Sequence, residues 1–302
     1  MEFPREKMEA SDDMHAYPFT IAMVNRKGGC AKTGTTHQLS GCFARMGKRV
    51  LLVDMDPQAS LTQGFFGPAA TEAFPLDRSI VALFDDSCDP SPEKLIVNTH
   101  CEGISIIPGA NSLDDFNIPK PTEAGLLQTA VRGFLNEVKD SYDVILIDCP
   151  PNLHLCSWNA LLAADFVIVP VQAEDFGAQG ITHIQRAIDL ALEKYNPKLR
   201  MLGYLVTLRQ RLAIHDAYEQ QLRNLYGEYV FTHPFPLKKD FKEAIAERTP
   251  IHFIKPKGGA AKDVDAVAQE ILARIPVARS RPPEFLHFEN RILNDEARRV
   301  AS

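Results

Sequence analysis

Phe19-Thr20-Ile21-Ala22-Met23-Val24 runs through Asn25-Arg26 into Lys27-Gly28-Gly29-Cys30-Ala31-Lys32-Thr33, and this stretch decides the fold. An apolar run that breaks into Gly-Gly and then Lys-Thr reads as a buried strand, a phosphate-cradling loop and the start of a helix. Backbone N–H groups at such a helix start face an anion, and the helix dipole favours negative charge there. Lys32 is placed to reach phosphates, and the Thr33 hydroxyl to take Mg²⁺. The unusual feature is a second lysine, Lys27, at the loop entrance.

Two later segments support this reading. Arg49-Val50-Leu51-Leu52-Val53-Asp54-Met55-Asp56-Pro57-Gln58 describes a buried parallel strand that delivers carboxylates at its carboxyl end. Tyr142-Asp143-Val144-Ile145-Leu146-Ile147-Asp148-Cys149-Pro150-Pro151 repeats the pattern and ends in a rigid Pro-Pro turn. Mg²⁺ prefers oxygen ligands and keeps several waters. Asp148 therefore suits the metal side of the site, through a water or through the Thr33 hydroxyl. Asp54 and Asp56 point the same way off their strand, and either could orient an attacking water.

At this point the chain resembles the deviant Walker ATPases of the ParA/MinD group. The resemblance rests on Lys-Gly-Gly-x-x-Lys-Thr, on Asp-x-Asp-Pro-Gln and on Ile-Asp-Cys-Pro-Pro. Asn159-Ala160-Leu161 and the run Ala163 to Gln172 extend it toward the ParA side. It spans about Phe19 to Ile275, more loosely in the last third. It implies a P-loop fold, ATP and Mg²⁺ as cofactors, and a nucleotide site made of Lys27, Gly28, Gly29, Cys30, Ala31, Lys32, Thr33 and Gly34 with Pro236. It makes Lys27, Lys32 and Asp56 the catalytic residues, with Asp56 linked to water activation. Thr33, Asp148 and Asp56 form the candidate metal set. Metabolic members of the wider group phosphorylate or amidate small molecules; Asp-Pro-Gln and Asn-Ala-Leu point away from them.

Two positions depart from the family pattern. Ala31 stands where a glycine precedes the P-loop lysine, and Gly34 where Thr or Ser is usual. Glycine tolerates a positive φ that alanine resists, at a cost of roughly 1 kcal/mol. If position 31 needs that backbone, affinity or turnover should suffer. Gly34 weakens the first helical turn by a similar amount. Neither change removes a phosphate or Mg²⁺ ligand.

The 302 residues fit one large α/β domain, and 45% apolar composition suffices for its core. No apolar run reaches the eighteen or so residues of a membrane span. Residues 1–18 carry five acids and two bases without an apolar centre, and read as a disordered acidic lead rather than a signal peptide. The six cysteines form no Cys-x-x-Cys, which suggests a reducing cytoplasm. The expected organisation is this lead, an ATPase domain over 19–276 and a helical tail over 277–302.

Between the motifs, strands and helices alternate. Helices are expected at Thr33–Met46, Ser79–Phe84, Glu123–Lys139, Ser157–Ala164 and Gly177–Lys194. Further strands are expected at Ile104–Gly109, Phe166–Val171 and Met201–Leu208. Right-handed βαβ units follow, hence a mostly parallel, twisted sheet with helices on both faces. The ligand lies outside the carboxyl ends of its strands.

Net charge is −6, yet Lys198 to Lys262 holds twelve bases against six acids, a local +6. Such an excess attracts phosphate backbones, although a solvated face laced with intrahelical pairs has the same composition. It matches the placement of the surface with which ParA proteins bind DNA without sequence preference. The first candidates are Lys238, Lys239 and Lys242, then Arg209 and Arg211. In the tail, Phe285, Leu286, Phe288, Ile292, Leu293 and Val300 have partial helical spacing, but Glu284, Glu289, Asp295 and Glu296 interrupt the face. That argues against a basic membrane helix and for packing on the body or a partner.

The resemblance thus implies a cytoplasmic, nucleoid-associated ATPase. ATP would close two subunits face to face, with Lys27 of each reaching the other's phosphates. The dimer would bind double-stranded DNA, and a ParB-like partner would stimulate hydrolysis. The cargo would be a plasmid, a chromosome or a protein assembly. The alternatives are a MinD-like membrane switch and a nucleotide-binding scaffold slowed by Ala31.

Overall fold

The computed structural model describes residues 18–173 and 178–282. The acidic lead up to residue 17 and the tail from residue 283 lie outside the described residues. Eight strands form one sheet in the order β3-β4-β2-β5-β1-β6-β7-β8. In chain order they are β1 (Phe19–Met23), β2 (Val50–Asp54), β3 (Val97–Asn98), β4 (Ile104–Ile107), β5 (Val144–Asp148), β6 (Phe166–Gln172), β7 (Arg200–Arg209) and β8 (Phe235–Pro236). All neighbours are parallel except β3, which pairs antiparallel with β4 at the edge.

The central strands are buried from end to end, as unbroken apolar runs demand when helices cover both faces. Side chains alternate between two cores. Ala22, Val24, Leu51 and Val53 face one core; Ile21, Met23, Val50 and Leu52 face the other.

The helices in chain order are α1 (Lys32–Arg45), α2 (Ser60–Phe66), α3 (Pro68–Glu72), α4 (Pro92–Leu95), α5 (Ala130–Val138), α6 (Leu155–Ala163), α7 (Ala178–Lys194), α8 (Ala213–Tyr226), α9 (Lys239–Ala246), α10 (Ile251–Ile254) and α11 (Gly259–Ser280). Apolar residues of α5, α6, α7 and α8 fill the first core, and those of α1, α2, α9, α10 and α11 the second. On α11 the buried Val264, Val267, Ala268, Ile271 and Ile275 repeat at helical spacing. Full burial of each large aliphatic side chain contributes roughly 1.5–3 kcal/mol. The same helix carries Pro276 and runs on to Ser280.

Several expected elements differ in detail. The helix expected over Glu123–Lys139 is 3₁₀ at Pro121–Glu123 and Gly125–Thr129, and α-helical from Ala130. A proline and a glycine each restart the chain before α5 can propagate. Ser79–Phe84 reduces to one 3₁₀ stretch, Ile80–Leu83. Gly177 lies outside the described residues. No described helix is long and apolar enough to cross a membrane.

Candidate nucleotide site

β1, β2 and β5 end side by side, and Asp54 stands in register with Asp148 across the β2–β5 pair. The loop after β1 therefore opens directly beside two strand-end carboxylates.

The loop is held from behind by the strand ends. The Asn25 side chain donates to the Pro170 carbonyl at 2.5 Å, and its Oδ1 accepts from the Lys27 N–H at 3.0 Å. Gln172 Nε2 donates to the Gly29 carbonyl at 3.1 Å, and Thr207 Oγ1 to the Cys30 carbonyl at 2.9 Å. Gly29 sits at φ 74°. Ala31 sits at φ 60°, ψ 29°, in the left-handed region, and α1 starts at the next residue with no side-chain cap and no acid in its first turn. An uncapped helix start with no acid of its own in the first turn is suited to receive an anion.

Ala31 thus adopts the backbone that glycine would hold without penalty, which settles the question its methyl group raises. The fold holds it there, through α1 on one side and the hydrogen-bonded loop on the other, at a cost of roughly 1–2 kcal/mol. Gly34 is different. A Cβ built there meets nothing within 4 Å, so nothing around it requires glycine.

Lys32 is buried, and its Nζ donates to the Lys27 carbonyl at 3.1 Å across the loop mouth. Cys30 is buried beneath the loop; its thiol donates to the same carbonyl at 3.2 Å, and burial pushes its pKa up. That matches a small buried hydrophobe. Lys27, Gly28 and Gly29 are exposed. An exposed charge at the mouth is free to meet a partner outside its own chain.

The two aspartates on the strand ends do different things. Asp148 is fully buried; its Oδ2 accepts from the Thr33 hydroxyl at 2.6 Å, while Oδ1 has no hydrogen-bond partner. Burial, and then the charge of Asp54, push its pKa well above the usual carboxylate range. An orphaned buried carboxylate oxygen next to a hydroxyl on the first helical turn fits a hydrated divalent cation.

Asp54 is also fully buried, and burial pushes its pKa up to about 7. Its Oδ2 accepts from the Thr62 N–H at 2.8 Å and hydroxyl at 2.7 Å, and Oδ1 from the Asp56 N–H at 3.3 Å. Thr62 Oγ1 in turn accepts from the Gly109 N–H at 2.9 Å. Asp54 is thus a loop anchor that fixes the backbone of Asp56. Asp56 is half-buried; its Oδ1 accepts from the Gln58 N–H at 3.0 Å, leaving Oδ2 without a hydrogen bond given to it.

Thr62 and Gly109 were not anticipated. A Cβ at Gly109 would lie 2.8 Å from Asp54 Cγ, so only glycine lets the carboxylate settle. Thr207 was also missed, although a hydroxyl at the carboxyl end of a parallel strand is a usable signal. Asn159 has a packing role: it bonds the Leu127 carbonyl at 2.8 Å and the Val131 N–H at 3.2 Å.

Pro236 lies on β8 at the sheet edge beside Arg209. Among the basic candidates Lys238, Lys239 and Lys242 follow β8 directly in the chain, and three of the five candidates are ion-paired. Arg209 pairs with Asp216 and Glu219, Lys238 with Asp263, and Lys239 with Glu243. Lys255 pairs with Asp240 and Glu243. Arg211 and Lys242 are exposed and make no ion pair among the described residues.

Comparison with known proteins places the chain among nucleotide-binding relatives. The family described as AAA domain matches residues 19–201. The chromosome-partitioning ATPase Soj of Thermus thermophilus is 34% identical over 259 residues, covering 85% of this chain and 97% of that protein. The chromosome partitioning protein ParA of Caulobacter vibrioides is 30% identical over 271 residues, covering 86% and 97%. Among solved structures, cobyrinic acid a,c-diamide synthase from Mycobacterium smegmatis, with bound ATP analog and magnesium, superposes with a TM-score of 0.72. It is 26% identical and covers 89% of this chain and 99% of that one.

Proposed function

This chain belongs to the Soj/ParA family of partitioning ATPases, within the AAA-domain P-loop proteins, and from that premise we propose an ATP-driven DNA-binding switch. It binds ATP and Mg²⁺ at the Lys27–Gly34 loop, closes as a dimer and holds double-stranded DNA without sequence preference. Hydrolysis then opens the dimer and releases the DNA. The observation that carries the nucleotide part is the Thr33–Asp148 pair, with its orphaned carboxylate oxygen at the foot of a glycine-type loop.

Each residue has a role in this reading. The backbone N–H groups from Gly28 to Gly34 and the start of α1 cradle phosphate oxygens. Lys32 leaves the Lys27 carbonyl and turns its Nζ toward phosphate, exchanging a neutral acceptor for a charged one. Thr33 and Asp148 hold the metal side, and Asp56 stands near enough to contribute through water. The metal, when bound, neutralises charge that develops on the phosphates. Asp56, its backbone fixed by Asp54 and one oxygen open, orients the attacking water. Lys27 reaches across to the partner subunit's nucleotide. Pro236 borders the nucleotide from the sheet edge.

DNA binding is assigned to the Lys198–Lys262 region, with Arg211 and Lys242 foremost because no carboxylate among the described residues pairs with them. Arg209, Lys238 and Lys239 contribute after exchanging their carboxylate partners for phosphate. Two such faces in one dimer double the phosphate contacts, so binding depends on nucleotide. A ParB-like protein stimulates turnover, and the protein moves onto the nucleoid when ATP-bound. A gel-shift series with ATP, ADP and no nucleotide tests this. Retardation with ATP alone, lost steeply between low and physiological salt, is expected. No retardation with ATP at low salt would remove DNA from the account. Liposome pelleting with ATP would then test the membrane reading.

A further inference from the structure

α1, α10 and α11 meet in the second core at three side chains that the nucleotide site does not use. Cys42 lies on α1, nine residues beyond Thr33 and so roughly 14 Å along the helix axis from it. His252 lies on α10 and Asp265 on α11. α10 is drawn onto α1 by close packing: a Cβ at Gly41 would come 2.3 Å from Pro250 Cβ.

The Cys42 thiol is 3.3 Å from Asp265 Oδ1, and His252 Nε2 is 2.8 Å from the same oxygen. The three ligating atoms all lie within 4.8 Å of one another. Cys42 is fully buried and His252 is 4% exposed, whereas the Asp265 side chain is 39% exposed. Two buried donors therefore crowd one oxygen, and the Asp265 carboxylate is the part of the trio that reaches solvent. His252 Nδ1 is buried without a hydrogen-bond partner.

One sulfur, one imidazole nitrogen and one carboxylate oxygen make the mixed, borderline-soft set that zinc takes, with water in the fourth position. Tetrahedral zinc, with Zn–S ~2.3 Å and Zn–N or Zn–O ~2.0–2.1 Å, separates its ligands by roughly 3.3–3.6 Å. To match that spacing His252 Nε2 must move away from Asp265 Oδ1 by about half an ångström and the Cys42 sulfur by about half as much.

We propose that Cys42, His252 and Asp265 form a zinc-class metal site that ties α1 to α10 and α11, separate from the nucleotide site. Binding replaces the Cys42 S–H bond with a sulfur–metal bond and releases that proton to solvent through the Asp265 side. His252 binds through Nε2 and carries its proton on Nδ1. Because Nδ1 has no acceptor, the site lacks the outer hydrogen bond that is worth about 10–100-fold in affinity, and it binds more weakly than closed structural zinc sites.

The test is to strip the full chain with a chelator and titrate it with Co²⁺ in excess Mg²⁺, which occupies oxygen-ligand sites. The expected result is one equivalent of tetrahedral cobalt with a thiolate charge-transfer band that Zn²⁺ displaces. Cys42→Ser should abolish the band, and Asp265→Asn, which keeps the thiol, should weaken binding at least tenfold. Both variants should melt with the parent's cooperativity without metal and bind a fluorescent ATP analogue like the parent. No band in the parent, or an equal band in Cys42→Ser, overturns the proposal.

Discussion

Ala31 holds φ 60° in the loop between β1 and α1, a conformation alanine adopts at a cost of roughly 1–2 kcal/mol. Ala31→Gly removes that strain and returns part of the gain as unfolded-chain entropy. It should raise stability by about 1 kcal/mol and tighten a fluorescent ATP analogue. Thermal melts and titrations of both proteins check this; equal values in both assays would mean the loop carries no strain. Asp148 makes a second residue-scale case. Asp54 and Asp148 have folded pKa values raised by burial. A carboxyl raised in the folded state stabilises it at low pH and loses that contribution as pH climbs from about 4 through the raised value. For Asp54 that window ends near 7. Asp148→Asn should therefore melt higher than the parent at pH 8, by a margin that shrinks at pH 5. It should also lose the parent's further stabilisation by Mg²⁺–ATP. Identical pH dependence in the two proteins would show that Asp148 is not a strained buried charge. In the proposed mechanism Asp56→Ala removes the water-orienting carboxylate and no phosphate contact, so steady-state ATPase should fall by ~10²–10⁴-fold with ATP still bound.

Among the elements, the basic candidates sit at the end of β7 (Arg209), just before α8 (Arg211) and at the N-cap and in the body of α9 (Lys238, Lys239 and Lys242), and their ion pairs set the order of importance. Exposed pairs contribute little to stability, so their lysines are exchangeable, but each paired carboxylate weakens the field a phosphate meets. Arg211→Glu with Lys242→Glu should weaken DNA binding to all sequences alike and make its salt dependence shallower, as fluorescence anisotropy across a salt series would read. An unchanged slope would place the DNA face elsewhere. The elements that position the site were legible in the residues. β1, β2 and β5 are apolar runs that break abruptly into Gly-Gly or Asp, and that pattern has few other meanings in water. α2 and β3 were not legible: α2 has seven residues with Gly64 inside, and β3 has two. Neither is long enough for periodicity to speak. The Thr62–Asp54–Gly109 arrangement and the Thr207 bond to the loop join residues far apart in sequence. Only the sheet order brings them together. The neutralisation of Arg209, Lys238 and Lys239 was hidden for the same reason, since a charge count does not say which acid sits beside which base.

At the scale of the whole molecule, the site is open on the side where Lys27 stands. Lys32 and Asp148 are buried within one chain, yet the lysine at the loop entrance is exposed and the Cys30 thiol, not its own charge, lies under the loop. A cation held at the mouth of a phosphate site, facing out, has a use when a second copy closes over it. In the proposed function that arrangement would couple three events to one bound ATP: closure of the dimer, doubling of the basic face and assembly of the hydrolytic site. The measurement that tests it most directly is light scattering of the purified protein with ATP and Mg²⁺, parent beside Lys27→Ala, with a fluorescent analogue confirming that both bind nucleotide. The parent should double its mass with ATP and not with ADP, while Lys27→Ala stays monomeric with nucleotide bound. A parent that remains monomeric with ATP, or a Lys27→Ala protein that dimerises as the parent does, would contradict the account.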